Sequence, residues 1–280
     1  MANNRLYRDM IRDTRMWNLY LGLDRTSIDV MAYCPMEDNS LLSATIQLDE
    51  NGNDYCKAIE EAIYDNPLLL NDFNKVTIVS RGNSRAILPG YLSENQELAA
   101  DIAAEICGRP EGFPDAPMIT DHLPLLECNV AHFMETDVYH FLTRTFTGVK
   151  FIHRLSSLTR FFHGTNRGPG SMLTFVNLRA GSMDIILFTG DRLLLANTYE
   201  WSTPEDVIYY IMAVRQAFEV PGEKSVVLSG DRNIREELTP RLREFIPSVI
   251  PAIFPTAMFR AGGMTAMNTP TDLVVLPLCE

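Results

Sequence analysis

Several stretches of this 280-residue chain carry side chains that could bind an ion. Residues 49–54 are rich in Asp and Asn, and Glu60 follows at the twelfth position, where a calcium loop has its bidentate carboxylate. A calcium loop also requires glycine at its sixth position, and this chain has Asp54 there. We therefore interpret the stretch as a polar loop in which Asp54 caps a helix.

A second stretch, residues 164–170, contains three glycines and could surround an anion with backbone N–H groups. It lacks the Lys-Ser/Thr pair of a P-loop, and Pro169 removes one backbone donor. We interpret this stretch as a linker. The glycine pair within residues 260–264 predicts a turn near the cleft of the protein, which two glycines alone do not assign to a function.

The five histidines and five cysteines are too widely spaced to predict a metal site. The sequence contains no CxxC, HxxxH or HExxH pair. Folding could still bring Cys128, His132 and His140 together, but we expect buried or surface histidines instead. The odd number of cysteines also disfavours a disulfide framework, so we expect reduced thiols in a cytoplasmic protein.

The charge of the chain argues against two classes of partner. The formal net charge is −12, and no run of five basic residues occurs. Nucleic acids and anionic membrane surfaces attract basic patches, so we expect neither nucleic-acid binding nor membrane insertion. No apolar stretch reaches the roughly 18 residues of a membrane span, and no apolar segment typical of a signal peptide follows Met1.

The elements that would position any site follow from hydrophobic periodicity. In the first half, strands are predicted over Asn18–Leu23, Ser27–Tyr33, 41–48, Lys75–Ser80, 125–133 and Lys150–His153, and helices over Tyr55–Tyr64, 94–106 and 136–147. Leu98, Ile102 and Ile106 share one face of the second helix. In the second half, strands are predicted over 172–178, 183–189, 193–198, 224–229 and 273–276, and helices over 204–218 and 234–245. Thr203, Pro204 and the two acids that follow them form a strong start for the helix over 204–218.

The two halves of the chain also resemble each other in sequence, which predicts an internal duplication. The matched residues are Leu23, Ser27 and Asp29 with Leu178, Ser182 and Asp184. Downstream, residues 41–45 match 193–197, and Lys75–Ser80 matches 224–229. Both halves begin with the order strand-strand-strand-helix-strand-helix. We therefore expect two similar α/β domains, each a mixed sheet with helices on its faces, facing each other across a cleft.

That duplicated order resembles the actin, Hsp70 and sugar-kinase superfamily, which has two ribonuclease-H-like domains. Within it, the chain is similar to the small bacterial branch near pilus-assembly and cell-division actin homologues. More narrowly, it is similar to an uncharacterised bacterial family of actin-like ATPase fold. The resemblance implies a first ribonuclease-H-like domain over residues 1–160 and a second over 161–280.

In this superfamily, two hairpin turns bind the phosphates of a nucleotide, each through an aspartate, a glycine two residues later and small hydroxyl residues. The first turn here lies within residues 23–28. The resemblance gives Asp24 the role of the acid and places Ser27 among the hydroxyl residues. No glycine follows Asp24, and the turn is about two residues short of the family pattern.

The second turn, within residues 176–185, departs further from the pattern. Asn177 replaces the acid and Arg179 replaces the glycine, whereas Gly181, Ser182 and the later Asp184 are retained. A third family element, a strand that ends in two glycines, packs against the adenosine. Its counterpart here ends with a glycine and an acid, Gly230 and Asp231.

These departures favour one of two functions. An arginine side chain stands where backbone should meet phosphate, an asparagine lacks the charge that holds a metal, and Asp231 would repel an anion. We therefore expect a pseudo-ATPase, a cytoplasmic scaffold without catalysis that binds a protein partner. The alternative is an ATP-binding protein, ATPase or kinase that uses the cleft, with ATP and Mg²⁺ as cofactors and the nine residues named above in the site.

Overall fold

The computed structural model describes residues 6–49, 54–165 and 172–279. Its strands are β1 (Asn18–Leu23), β2 (Ser27–Tyr33), β3 (Leu41–Gln47), β4 (Lys75–Ser80), β5 (Arg85–Pro89), β6 (Met118–Leu123), β7 (Cys128–Phe133), β8 (Lys150–His153), β9 (Met172–Arg179), β10 (Ser182–Thr189), β11 (Arg192–Glu200), β12 (Val226–Gly230) and β13 (Val249–Pro251). Its α-helices are α1 (Tyr55–Tyr64), α2 (Gln96–Cys107), α3 (Thr136–Thr145), α4 (Arg154–Thr165), α5 (Pro204–Ala217), α6 (Arg232–Arg243), α7 (Thr256–Asn268) and α8 (Thr271–Val274).

Residue packing divides the described chain into two compact units. Unit 1 comprises the described residues of Met1–Ser156 together with Thr256–Thr269. Unit 2 comprises those of Ser157–Pro255 together with Pro270–Glu280. The domain boundary predicted between residues 160 and 161 falls within α4 and remains a prediction.

Unit 1 is built on a mixed five-stranded sheet in the order β3-β2-β1-β4-β8. The first three strands are antiparallel, while β4 pairs in parallel with β1 and β8 in parallel with β4. Helices α1 and α3 pack on one face, because Ile59 and Ile63 of α1 and Phe141 of α3 join the apolar cluster of β1, β2 and β4. Truncating such an isoleucine to alanine typically costs about 2–5 kcal/mol.

A second, antiparallel sheet of unit 1 lies between β4 and α3 in the chain, with strand order β5-β7-β6. Helix α2 covers it by burying Ala99 and Ala103 against Leu88 and Ala131. The larger Leu98 and Ile106 lie outside this buried face and are exposed.

Unit 2 repeats the strand order of the first sheet, as β11-β10-β9-β12-β13. Helices α5 and α6 pack on this sheet through Val207, Ile211, Leu238 and Leu242. The predicted start of α5 is confirmed as a capping box, in which Thr203 and Asp206 accept each other's backbone N–H groups. Those bonds lower the pKa of the Asp206 carboxyl.

Helix α7 belongs to unit 1 and runs beside β3. The turn predicted within residues 260–264 is a break inside this helix, because Gly263 adopts a left-handed conformation with φ 53°. Gly262 lies so close to β3 that a β-carbon there would stand 2.9 Å from Cβ of Leu41. The backbone N–H of Asn39 also donates to the carbonyl of Arg260 at 3.2 Å.

The structure confirms the predicted α/β fold and most of its elements, and it differs from the predictions in several places. The strand predicted over 273–276 is wrong, since helix α8 and a 3₁₀ turn occupy that stretch. The linker predicted over 164–170 begins inside α4, and its residues 166–170 lie outside the described part. Strands β5, β6 and β13 and helices α4 and α7 were not predicted. Residues 50–53 of the predicted polar loop lie outside the described residues, while Asp54 caps α1 as predicted.

Candidate functional site

The first predicted turn joins β1 to β2 and is closed by a hydrogen bond from the N–H of Asp24 to the carbonyl of Ser27 at 2.9 Å. Only Arg25 and Thr26 lie between these two residues, so the hairpin is tight. The side chain of Asp24 is about one-third exposed, at 34%. The structure therefore brings Asp24 and Ser27 together as predicted from the sequence, at the end of two buried strands.

A buried carboxylate lies next to this turn on β2. Asp29 accepts a hydrogen bond from the hydroxyl of Thr45 on β3 at 2.6 Å. It also accepts one from Nη1 of Arg81, its partner in an ion pair of 2.5 Å. The same Nη1 stands 3.8 Å from a carboxylate oxygen of Asp24. Arg81 therefore places one positive charge between the two carboxylates of the first turn.

The arginine occupies the space beside the turn. Its side chain is fully buried, with 0% exposure. A β-carbon built on Gly22 of β1 would stand 2.7 Å from Nη2 of Arg81, which shows that the guanidinium lies directly against the strand. Glycine at position 22 makes this close approach feasible.

The main chain that carries Arg81 is anchored by β8 and the start of α4. Arg154 donates to the carbonyl of Arg81 at 3.3 Å. His153 accepts the N–H of Leu155 on Nδ1, so its proton lies on Nε2, which donates to the carbonyl of Gly82 at 3.1 Å. Burial lowers the pKa of His153 well below its ordinary value, so the ring is neutral. These bonds fix the direction in which Arg81 leaves β4.

A second arginine holds the outer side of the turn. Arg25 pairs with Glu135 at the start of α3 at 2.6 Å and lies over the ring of Tyr55 of α1, 4.6 Å from its centroid. The hydroxyl of Tyr55 donates to the carbonyl of Asp24 at 3.1 Å. Burial raises the pKa of this phenol, so it remains a donor at neutral pH. The first turn is thus tied to both helices of its sheet.

The second predicted turn joins β9 to β10 and has the same length as the first. Arg179 pairs with Ser182 in the ladder, so only Ala180 and Gly181 form the loop. Gly181 has φ 71°, a conformation that favours glycine. By register, Arg179 holds the position that Asp24 holds in unit 1, and Asn177 holds that of Gly22. Asp24 and Asn177 therefore do not occupy equivalent positions.

A buried carboxylate also lies beside this second hairpin. Asp184 on β10 has 0% exposure. One of its oxygens accepts the hydroxyl of Thr198 at 2.6 Å, and the other accepts the amide N–H of Asn177 at 3.2 Å. The hydroxyl of Ser229 on β12 donates to the amide oxygen of Asn177 at 3.1 Å. The predicted residues Asn177 and Asp184 thus belong to one buried hydrogen-bond network.

Gly230 and Asp231, which were predicted to lie beside an adenosine, have roles in the local backbone structure. Gly230 ends β12 with φ 91°, and a β-carbon there would stand 2.0 Å from the carbonyl oxygen of Leu178. The next residue, Asp231, donates its N–H to that carbonyl at 2.8 Å. Its side chain accepts the N–H of Ile234 at 3.0 Å and so caps α6. The acid in place of the second glycine therefore starts a helix.

Both hairpins share a pattern that sequence reasoning missed. In each, an aspartate on the second strand accepts a threonine hydroxyl from the third strand and an N–H from a further side chain. Unit 1 uses Thr45 and Arg81, and unit 2 uses Thr198 and Asn177. The sequence signal for the unit 1 pattern is Arg81, the arginine directly after Lys75–Ser80.

The carboxylates of both hairpins already have partners. Mg²⁺ binds through carboxylates and water in an open octahedral shell. In the first turn, the carboxylates already face an arginine that would repel the ion. In the second, both oxygens of Asp184 are engaged and buried. The carboxylates of each hairpin, as they are placed, therefore do not fit a Mg²⁺ ion.

Cys128, His132 and His140 do not converge, and the two histidines are one buried and one exposed, in line with the sequence analysis. Cys128 and His132 lie four residues apart on β7, and His132 is buried whereas His140 is exposed on α3. Within the described ranges, no group of three or more His, Cys, Asp or Glu side chains is arranged to hold a metal ion. In the same part of the chain, no helix has the length and apolar character needed to span a lipid bilayer.

Comparison with known proteins agrees with this architecture. A crystal structure from Bacteroides thetaiotaomicron VPI-5482, of a protein with actin-like ATPase fold and unknown function, is similar with a TM-score of 0.79 and 21% identity, over 95% of this chain and 97% of that one. A structure of the PilM–PilN type IV pilus biogenesis complex is similar with a TM-score of 0.58 and 12% identity, over 95% of this chain and 99% of that one.

These similarities confirm the predicted actin-like ATPase fold. No curated protein sequence matches the chain. A family model described as "Protein of unknown function (DUF3822)" matches residues 11–249, which is most of the chain. The chain therefore belongs to the DUF3822 family.

Proposed function

We propose that this protein is a non-catalytic scaffold of actin-like fold that binds a protein partner. The observation that carries the proposal is the position of Arg81. Its fully buried guanidinium pairs with Asp29 and lies 3.8 Å from Asp24. A permanent cation thus supplies, inside unit 1, the positive charge that a metal ion would otherwise bring to these carboxylates.

Burial makes the ion pair of Arg81 and Asp29 costly to break. Breaking a buried ion pair by moving one partner away leaves an uncompensated charge, at a cost of about 3–5 kcal/mol. Arg81 is also anchored through its own carbonyl and that of Gly82. A bound nucleotide would have to meet this cost before Mg²⁺ could reach Asp24 and Asp29.

Unit 2 supports the same proposal independently. The carboxylate of Asp184 is held by Thr198 and Asn177 without exposure to solvent. Gly230 and Asp231 serve the close pairing of β12 with β9 and the start of α6. These roles stabilise the fold, and the exposed acid among them, Asp231, is used as the cap of α6. One protein of similar fold forms part of the PilM–PilN complex, so the fold is compatible with binding another protein.

The experiment is thermal unfolding of the purified chain with millimolar ATP–Mg²⁺, with ADP, GTP and metal-free ATP as comparisons, alongside a phosphate-release assay. A ligand at 100 times its Kd stabilises the folded state by about 2.7 kcal/mol, which gives a large rise in the unfolding temperature. We expect no Mg²⁺-dependent shift and no phosphate release above the blank.

A matched pair of variants makes the result specific. Asp24→Ala removes the partly exposed acid of the first turn, and Asp38→Ala removes an exposed acid from a loop elsewhere in unit 1. A Mg²⁺-dependent shift that Asp24→Ala abolishes and Asp38→Ala preserves would overturn the proposal and favour the ATPase alternative.

A further inference from the structure

We propose that the outer face of α2 is a docking surface for a basic amphipathic segment of a partner protein. We define the α2 face by Glu97, Leu98, Asp101, Glu105 and Ile106, all of which are exposed. The inference rests on the proposed scaffold function and names the chemistry of the partner.

The apolar half of the surface is unusual for a helix that covers a sheet. The larger side chains of such a helix normally face the core. Here Ala99 and Ala103 face the core, while Leu98 is 46% and Ile106 is 61% exposed. These two residues are eight positions apart, or about 12 Å along the helix. Ile102, between them, is partly buried against the sheet cluster.

The charged half of the surface has one sign. Glu97, Asp101 and Glu105 recur at four-residue spacing and form a stripe beside Leu98 and Ile106. No Lys or Arg occurs anywhere within residues 86–108. Like charges at this spacing destabilise a helix, and an acid in the last turn opposes the helix dipole. The stripe therefore costs stability locally. The flanking bases, Arg85 and Arg109, donate to the carbonyls of Asn83 and Ala116.

The combination selects one class of occupant. A segment with Lys or Arg on one side and leucine-like residues on the other would neutralise the stripe and cover the exposed apolar side chains. A second copy placed face to face on the same surface would oppose acid with acid. An anionic membrane would be repelled in the same way. The surface therefore fits a basic amphipathic segment.

The test uses the whole chain and a fluorescent helical peptide of about 18 residues with lysine on one face and leucine on the other, measured by anisotropy. The comparison peptide carries glutamate in place of lysine. We expect the lysine peptide to bind, with an affinity that falls as salt rises, and the glutamate peptide not to bind.

Two variants of the α2 face and one matched control locate the binding. The variant Glu97→Gln/Asp101→Asn/Glu105→Gln and the variant Leu98→Ser/Ile106→Ser should each weaken binding at least about tenfold. The control neutralises three exposed acids at and after α6 in unit 2, Glu236→Gln/Glu237→Gln/Glu244→Gln, and should weaken it less than about twofold.

If the acidic α2 variant and the control weakened peptide binding equally, the peptide would respond only to the net charge of the protein. The proposed docking surface would then be wrong. Unchanged binding by the Leu98/Ile106 variant would also overturn it. Either result leaves the scaffold proposal standing, because that proposal depends on the nucleotide measurement. If ATP–Mg²⁺ raised the unfolding temperature and the peptide still bound, the scaffold proposal would be overturned and the docking surface would stand.

Discussion

Arg81 and Asp29 form a buried ion pair across two strands of one sheet, with Nη1 2.5 Å from Oδ2. The pair joins residues 52 positions apart in the chain, and Thr45 supplies the second hydrogen bond to the carboxylate. In unit 2, Asp184 has the same threonine but an asparagine amide in place of the guanidinium. The first hairpin thus holds its carboxylates with a full charge, and the second with a neutral donor.

Replacing the buried arginine should be costly. Arg81→Met removes the positive charge and leaves Asp29 buried without a counter-ion, so we expect a loss of about 3–5 kcal/mol in the free energy of unfolding. The double variant Arg81→Met/Asp29→Asn removes both charges and should recover part of that loss. Urea denaturation of the three proteins measures both effects.

The control for this prediction is Arg232→Met. Arg232 forms an exposed pair with Glu236, with both side chains 63% exposed, and should contribute less than about 1 kcal/mol. If Arg81→Met cost no more than Arg232→Met, the buried pair would not organise the first turn.

The close approach of Gly230 on β12 to Leu178 on β9 should tolerate no side chain. Gly230→Ala would place a β-carbon 2.0 Å from the carbonyl oxygen of Leu178, at φ 91°. We expect a loss of about 2–5 kcal/mol from steric overlap and backbone strain. Gly222→Ala is the control, because nothing lies within 4 Å of its β-carbon position. Similar unfolding midpoints for the two variants would contradict the close approach of Gly230 to Leu178.

His132 should make the protein sensitive to acid. Burial lowers its pKa from 6.5 to about 3, because the charged ring would lack solvent. Between these values the unfolded chain binds a proton that the native state does not, so stability falls as pH decreases from about 6.5 towards 3. Each such group contributes a slope of up to about 1.4 kcal/mol per pH unit.

The variant His132→Leu should reduce that slope, measured as the free energy of unfolding at pH 7, 6 and 5. Neither ring nitrogen of His132 has a hydrogen-bond partner among the described residues, so the change should cost little at pH 7. His140→Leu, which removes an exposed histidine, is the comparison. Identical slopes in the wild type and His132→Leu would contradict the assignment.

The order of elements could be predicted from the sequence because apolar periodicity and helix starts are local signals. The start of α5 at Thr203 and Pro204 is an example, since its capping box lies within four residues. The pairing of Arg81 with Asp29 could not be predicted in this way. It depends on how β4 lies beside β1 and β2, which only the folded sheet determines.

One missed equivalence has a specific structural cause. The ungapped match places Thr45 opposite Asn197, yet the register pairs Thr45 with Asp29 and Thr198 with Asp184. A β-bulge at Leu187/Phe188 adds one residue to β11 and shifts the alignment by one position. An ungapped comparison of the two halves therefore could not find the threonine that holds each carboxylate.

The α2 face should exchange stability for binding. Glu105→Lys puts a base in the last turn of α2, where it favours the helix dipole and attracts Asp101, so we expect a gain of about 0.5–1 kcal/mol in the free energy of unfolding. Glu97→Lys carries the same change of charge but removes an acid from the first turn, where it is favourable, so it should gain less.

Both variants remove one acid from the same stripe and should weaken binding of the lysine peptide to a similar degree. The two measurements, urea denaturation and peptide anisotropy, therefore separate the structural from the binding role of each carboxylate. A Glu105→Lys protein that is more stable but binds the peptide as the wild type does would show that the stripe is a feature of the helix alone. One that is both more stable and weaker in binding is expected if the stripe is retained for a basic partner.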